Sequence, residues 1–114
     1  MGANQMMAML DIMRKLIENP INDPSNKNYR KIKRTNPKVF ETVTRHESNV
    51  RFFVEIGFLP ENDEFLVMDD YNYNKANLVL AQNVIFEYAE KTQKLVNSIG
   101  QSHTSSTTGF NNAD

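Results

Sequence analysis

Three Asx-Pro pairs, Asn19-Pro20, Asp23-Pro24 and Asn36-Pro37, fall within the first third of this chain. The residue before a proline is pushed out of the helical region, so each pair is a break that the fold must respect. Ahead of the first pair, Met6, Met9, Leu10, Met13, Leu16 and Ile17 recur at three- and four-residue spacing. That spacing predicts an amphipathic helix ended by "ENPINDP". Asn26 suits the N-cap of a short second helix, with Tyr29 and Ile32 one turn apart on a common face. Asn36 can accept an orphan N–H at the next helix start, where Pro37 at the first helical position sacrifices nothing. Val39, Phe40 and Val43 would be the buried side of that helix.

Further along, Ser48 is expected to cap a helix over "NVRFFVEI", which turns Val50, Phe53, Val54 and Ile56 largely inward. Gly57 then stops it in the left-handed conformation that glycine adopts cheaply. Phe65 to Met68 is short, apolar and bounded by acidic turn residues, and reads as a strand. The longest helix is expected from about Asn77 to Ile99, closed by Gly100, with a stripe of Leu78, Ala81, Ile85, Tyr88 or Ala89, and Leu95 or Val96. Residues 101–114 are rich in Ser, Thr and Asn and read as a disordered tail or linker. The fold class is therefore α+β: a compact, mainly helical domain of about five helices with a small antiparallel sheet, over residues 1–100.

The chain has 114 residues, of which 39% are hydrophobic, enough for one modest core. No apolar run approaches the roughly 20 residues needed to cross a bilayer. The start, "MGANQMMAML", lacks a basic region followed by a long apolar stretch, which argues against a secretory signal. There is no cysteine, which excludes disulfides, cysteine-ligated zinc and a cysteine nucleophile. The absence of an Asn-x-Ser/Thr sequon agrees with a cytoplasmic or nuclear location.

Residues able to carry catalysis are scarce. The only histidines are His46, beside an expected helix start, and His103, in the expected tail. The acidic set Glu61, Asp63, Glu64, Asp69 and Asp70 lacks the alternating ligands, central glycine and terminal glutamate of a calcium loop, and reads as a solvated turn. Neither a glycine-rich phosphate loop nor a Ser/His/Asp arrangement is present. The chain reads as non-catalytic, with no metal and no cofactor.

What stands out is "NKNYRKIKRTNPKVF", which sets five basic side chains into the nine positions from Arg30 to Lys38 of a chain with net charge −1. On a helix, Tyr29, Lys33 and Asn36 would share one side. Three readings follow. The stretch is a solvated basic helix with a half-buried tyrosine, a small nucleic-acid-binding patch, or a receptor for an acidic peptide. Nucleic acid asks for several neutralised phosphates together with stacking aromatics or a groove-fitting helix. The patch is short for that. An acidic peptide fits better, with lysines and arginines for its carboxylates, an asparagine for its backbone and an aromatic-lined gap for one anchor side chain.

The ordered segments "NP", "YRKIKRTNPKVF", "VRFFVEIGF" and "DEFLV", followed by a closing amphipathic helix, resemble the PUB domain from about Met9 to Leu95. The resemblance implies a compact helical domain with a three-stranded antiparallel sheet. It also implies binding to the acidic, tyrosine-containing C-terminal tail of the valosin-containing AAA ATPase (Cdc48), and to other short tyrosine-containing acidic motifs. Carried over by motif, Tyr29, Lys33, Asn36, Val39 and Phe40 would line the site, with Arg30 nearby and Gly57-Phe58 shaping one edge; either Val39 or Phe40 meets the ligand. Lys15 stands where the family often has an asparagine, one turn before Asn19-Pro20, and would replace a hydrogen bond with a charge contact. The resemblance further implies a monomeric, cytoplasmic adaptor in ubiquitin-dependent and ER-associated degradation. A place as the N-terminal module of a larger enzyme, such as a peptide N-glycanase, stays open.

Overall fold

The computed structural model describes the backbone of residues 2–105 and the side chains of residues 2–98. Helix α1 (Ala3–Asn22) leads into a single 3-10 turn (Lys27–Arg30) and strand β1 (Lys31–Lys33). Helix α2 (Pro37–Val39) widens at once into a π turn (Phe40–Thr44), and α3 (Glu47–Glu55) follows. Strands β2 (Leu59–Pro60) and β3 (Phe65–Val67) and the long helix α4 (Lys75–Ser105) complete the chain. The sheet is antiparallel in the order β1-β3-β2, so β3 is central and β1 is an edge. The α+β class and the small antiparallel sheet are as expected, and the described residues hold four α-helices in place of about five.

The missing helix is the basic one. Lys31, Ile32 and Lys33 alternate exposed, buried, exposed, the period of a strand and not of a helix. Pairing with β3 decides it, because the Ile32 side chain, directly across from Leu66, reaches the core only from an extended backbone. The helical register that placed Tyr29, Lys33 and Asn36 on one side is therefore not formed.

Helix α1 also runs farther than its sequence suggests. Pro20 lies inside its last turn and is buried, and the helix stops at Asn22, ahead of Asp23-Pro24. A proline this close to the C-terminus removes one hydrogen bond, and here its ring fills core space instead. Its carbonyl accepts a 3.1 Å hydrogen bond from the Tyr73 hydroxyl. Helix α3 begins two residues earlier than expected, capped at His46 in place of Ser48, with the His46 carbonyl accepting from the Asn49 and Val50 N–H groups. Helix α4 is capped by Asn74, whose Oδ1 accepts from Asn77 N–H at 3.1 Å. It continues past Gly100 to Ser105; residues 106–114 of the expected tail lie outside the described residues.

The core forms where α1 and α4 run antiparallel. Met9, Leu10, Met13 and Ile17 face Leu78, Ala81 and Ile85. In the α4 stripe it is Ala89 that packs inward, while Tyr88 and Leu95 are exposed. The sheet closes the other side with Ile32, Leu66 and Met68, and Phe53 meets Phe58 edge-to-face at 5.8 Å between ring centres.

Gly57 ends α3 at φ 111°, as its sequence position suggests. A Cβ there would lie 2.9 Å from the Asn72 carbonyl oxygen and 3.1 Å from the Met68 methyl. Backbone strain and this clash act together, so Gly57→Ala should destabilise the domain by about 2–3 kcal/mol. Urea denaturation checks this, and a loss below about 0.5 kcal/mol would mean that the α3–β2 turn relaxes freely.

Candidate functional site

The five basic residues from Arg30 to Lys38 do not share one fate. Arg30 is buried at the end of the 3-10 turn. Its guanidinium donates to the Pro24 carbonyl at 2.7 Å and to the Asp70 carboxylate, and it stacks on the Tyr73 ring with 4.6 Å to the ring centre. The Arg30 carbonyl accepts the Met68 N–H at 2.8 Å. Lys27 also reaches Asp70, at 3.0 Å. Hydrogen bonds from Lys27 and then from Arg30 hold the Asp70 carboxyl below the ordinary aspartate value. Arg30 is thus a structural residue whose charge faces inward.

Lys31, Lys33 and Lys38 are exposed, and Arg34 is half-buried. Lys31 and Lys33 stand exposed on the outer face of β1, opposite Val67 and Phe65. Lys33 comes within 3.5 Å of the Glu64 carboxylate, with both side chains about half exposed, a geometry that contributes little and leaves the ammonium free to exchange partners. Lys31 lies over the Phe65 ring at 5.8 Å. Among the described residues no carboxylate pairs with Lys31, Arg34 or Lys38.

Asn36 holds the next turn together. Its Oδ1 accepts from Lys38 N–H at 3.1 Å and Val39 N–H at 3.2 Å, the N-cap role its sequence position suggests. Its own N–H bonds the Lys33 carbonyl at 3.2 Å, and its carbonyl accepts the Phe40 N–H at 2.7 Å. Lys33, Asn36, Val39 and Phe40 are thereby tied into one compact turn. Phe40 is 46% exposed, whereas Val39 is half-buried against the core, so Phe40 is the side chain open to a ligand. Tyr29 lies in the 3-10 turn, at the other end of β1, and is 38% exposed.

Three further residues from the sequence reading take other places. Phe58 is fully buried and supports the sheet from within. Gly57 sits against the Asn72 backbone. Lys15 is exposed on α1 and pairs with Asp11 at 3.2 Å. The outer sheet face, where exposed Leu59 joins half-buried Phe65 and Val67 beside the two lysines, escaped the sequence reading. The alternation of Lys31, Ile32 and Lys33 agrees with it but is too short to have decided it in the sequence. A separate groove of about 380 Å³ between α1, α3 and α4 is lined by Met6, Met9, Met13, Phe52, Val84 and Tyr88 among others, and by none of the residues predicted for the site.

A family model described as the PUB domain matches residues 3–84, which include every residue predicted for the site. No curated protein matches the chain.

Arg30 and Lys33 should separate cleanly on mutation. Arg30→Ala removes a buried charge-assisted network and should cost about 2–3 kcal/mol of stability. Lys33→Glu alters an exposed charge and should change stability by no more than about 0.5 kcal/mol. Equal losses in thermal unfolding would contradict the division between inward and outward charges. Because the folded-state pKa of Asp70 is depressed, its stabilisation is present above the ordinary aspartate range and is lost as pH falls below about 4. Acid unfolding of Asp70→Asn should accordingly show a weaker pH dependence below pH 4 than the wild type.

Proposed function

The chain belongs to the PUB domain family, and from that premise we propose that it docks its host protein on the valosin-containing AAA ATPase by capturing the enzyme's acidic C-terminal tail. PUB domains are non-catalytic protein-interaction modules that serve as adaptors for this ATPase, Cdc48. The observation that carries the finer reading is the basic face of exposed Lys31, Lys33 and Lys38, with half-buried Arg34 beside them, next to the turn that carries Phe40 and with a single weak carboxylate partner among the described residues. Such a face attracts a tail rich in carboxylates. The tyrosine near the end of that tail supplies the anchor, and exposed Phe40 offers the aromatic surface against which its ring packs. Asn36, with Oδ1 already committed to its cap, has an amide nitrogen left to bond the tail backbone. Lys15, paired with Asp11 on the solvent side of α1, takes no part in this face.

In this reading the domain delivers its host to the ATPase in the cytoplasm, in service of ubiquitin-dependent and ER-associated degradation. The domain performs no chemistry itself. Its affinity is bounded by the cost of ordering a short linear ligand.

A peptide copying the tail should bind in the micromolar range, where 1 μM corresponds to about −8 kcal/mol. Calorimetry showing no heat and no competition at millimolar peptide would end the proposal. Lys33→Glu should weaken binding about tenfold or more, since it reverses a charge at the centre of the basic face. Phosphorylation of the tail tyrosine adds a charge of about −1.5 to −2 that an apolar contact cannot desolvate, so it should abolish binding, as should replacement of that tyrosine by alanine. The dependence of log affinity on log salt should be shallow; a steep slope, of the kind phosphate contacts produce, would favour nucleic acid as the ligand.

A further inference from the structure

Strand β1 is an edge strand, and its hydrogen bonds can be assigned atom by atom. Met68 N–H bonds the Arg30 carbonyl at 2.8 Å, and Arg34 N–H bonds the Glu64 carbonyl at 2.7 Å. In the antiparallel register Ile32 lies opposite Leu66 between these two bonded pairs. Residues 30, 32 and 34 therefore turn their backbone groups toward β3, and Lys31 and Lys33 turn theirs toward the open edge. Agreement comes from the far side of β3, where Glu61 N–H bonds the Phe65 carbonyl, so residues 65 and 67 serve β2.

Most of the open edge is already closed off. The Lys31 N–H bonds the Asn28 carbonyl of the 3-10 turn. The Lys33 carbonyl accepts the Asn36 N–H at 3.2 Å. Two backbone groups are left, the Lys31 carbonyl and the Lys33 N–H, and among the described residues neither has a partner. Together they form a window one donor and one acceptor wide. The turns on either side prevent it from pairing with a long strand.

We propose that this window binds the backbone of an extended acidic peptide, which adds one short stretch of strand to the edge of β1. The inference rests on the tail-binding reading above and assigns the backbone contact within it. Charge complementarity selects the occupant. The window is flanked by the exposed side chains of Lys31 and Lys33, with Arg34 and Lys38 following. Edge lysines repel another copy of this same basic edge, the usual defence against unwanted pairing, and the same charges welcome a carboxylate-rich chain. A peptide running parallel to β1 fills the window with one residue, whose N–H goes to the Lys31 carbonyl and whose carbonyl receives the Lys33 N–H. An antiparallel peptide uses two residues flanking the one opposite Ile32. In both cases one peptide N–H is the donor, and its side-chain neighbours fall to alternate sides, so carboxylates can reach the lysines while an aromatic residue turns toward the Phe40 turn.

Amide hydrogen exchange on the whole chain, with and without a peptide copying the ATPase tail, tests this. In the free protein the Lys33 amide should exchange readily, and saturating peptide should slow it at least about tenfold, while the Ile32 amide, already bonded to β3, should change little. Replacing peptide amides by esters one at a time should find a single backbone position whose loss weakens binding by about threefold to tenfold, as expected for one hydrogen bond. Binding at wild-type strength with an unchanged Lys33 amide overturns the window and leaves tail recognition standing. A Lys33 amide already protected in the free protein overturns it too. Failure of the peptide to bind at all overturns both readings.

Discussion

The placement of one buried guanidinium decides most of what this domain presents to solvent. Arg30 bonds the loop behind it through Pro24, the loop after β3 through Asp70, and stacks on Tyr73. Its own carbonyl takes the first ladder bond from Met68. These contacts join segments about forty residues apart in sequence and fix the register in which β1 meets β3. Once that register is set, the period of two in a strand leaves no choice: Ile32 goes in, and Lys31 and Lys33 go out. A slip of one residue would bury two ammonium groups and expose the isoleucine. Arg30 can hold this position because a guanidinium is weakly hydrated and offers a fork of donors to several acceptors at once. One of its nitrogens, Nε, is buried without a partner among the described residues, a modest cost beside the contacts the others make.

The same stretch shows why part of the fold could be read from sequence and part could not. Caps and stops are local. Asn36-Pro37 and Gly57 behaved as their chemistry dictates, because a side-chain cap or a positive φ is decided within a few residues. The α1 and α4 stripes were legible because apolar spacing over several turns has only one helical solution. Tyr29 to Lys33 failed for the converse reason. A segment this short carries no decisive period, and its state is set by β3, more than thirty residues away, whose central position in the sheet no local signal reveals. Pro20 failed for another reason, since a buried space that welcomes its ring outweighs the local preference of Asn19.

For the candidate site, the family motif supplied the residue types, and the geometry sorts their work. Arg30, Gly57 and Phe58 sit inside or behind the surface, and they are what make the surface rigid. Asn36 belongs to both groups, since its oxygen caps α2 while the turn it closes carries Phe40 outward. From composition alone these roles cannot be told apart, because a basic or aromatic residue serves a core contact as readily as a ligand contact. Burial separates them. A site built this way has its few exposed groups held by secondary structure, so little of the binding energy goes into ordering the receptor.

Charge pairing explains how a chain of net charge −1 can offer a positive face at all. Several acidic side chains are committed to pairs or turns away from that face. Asp11 and Glu18 hold Arg14 on α1, where the Asp11 carboxyl is drawn below its ordinary value by Arg14 and then Lys15. Asp70 serves Lys27 and Arg30, Glu41 reaches Arg45, and Asp69 closes its own turn through Asn72. Around β1 and α2, among the described residues, only Glu64 answers the exposed cations, and from 3.5 Å. Net charge therefore says little about the field a partner meets, which depends on where opposite charges fail to cancel. Within a Debye length of about 8 Å at physiological salt, an approaching carboxylate senses Lys31, Lys33 and their neighbours far more than the acidic total. The positive face follows from where the exposed cations Lys31, Lys33 and Lys38 stand along one edge strand and the turn after it, with Glu64 as their one carboxylate partner among the described residues.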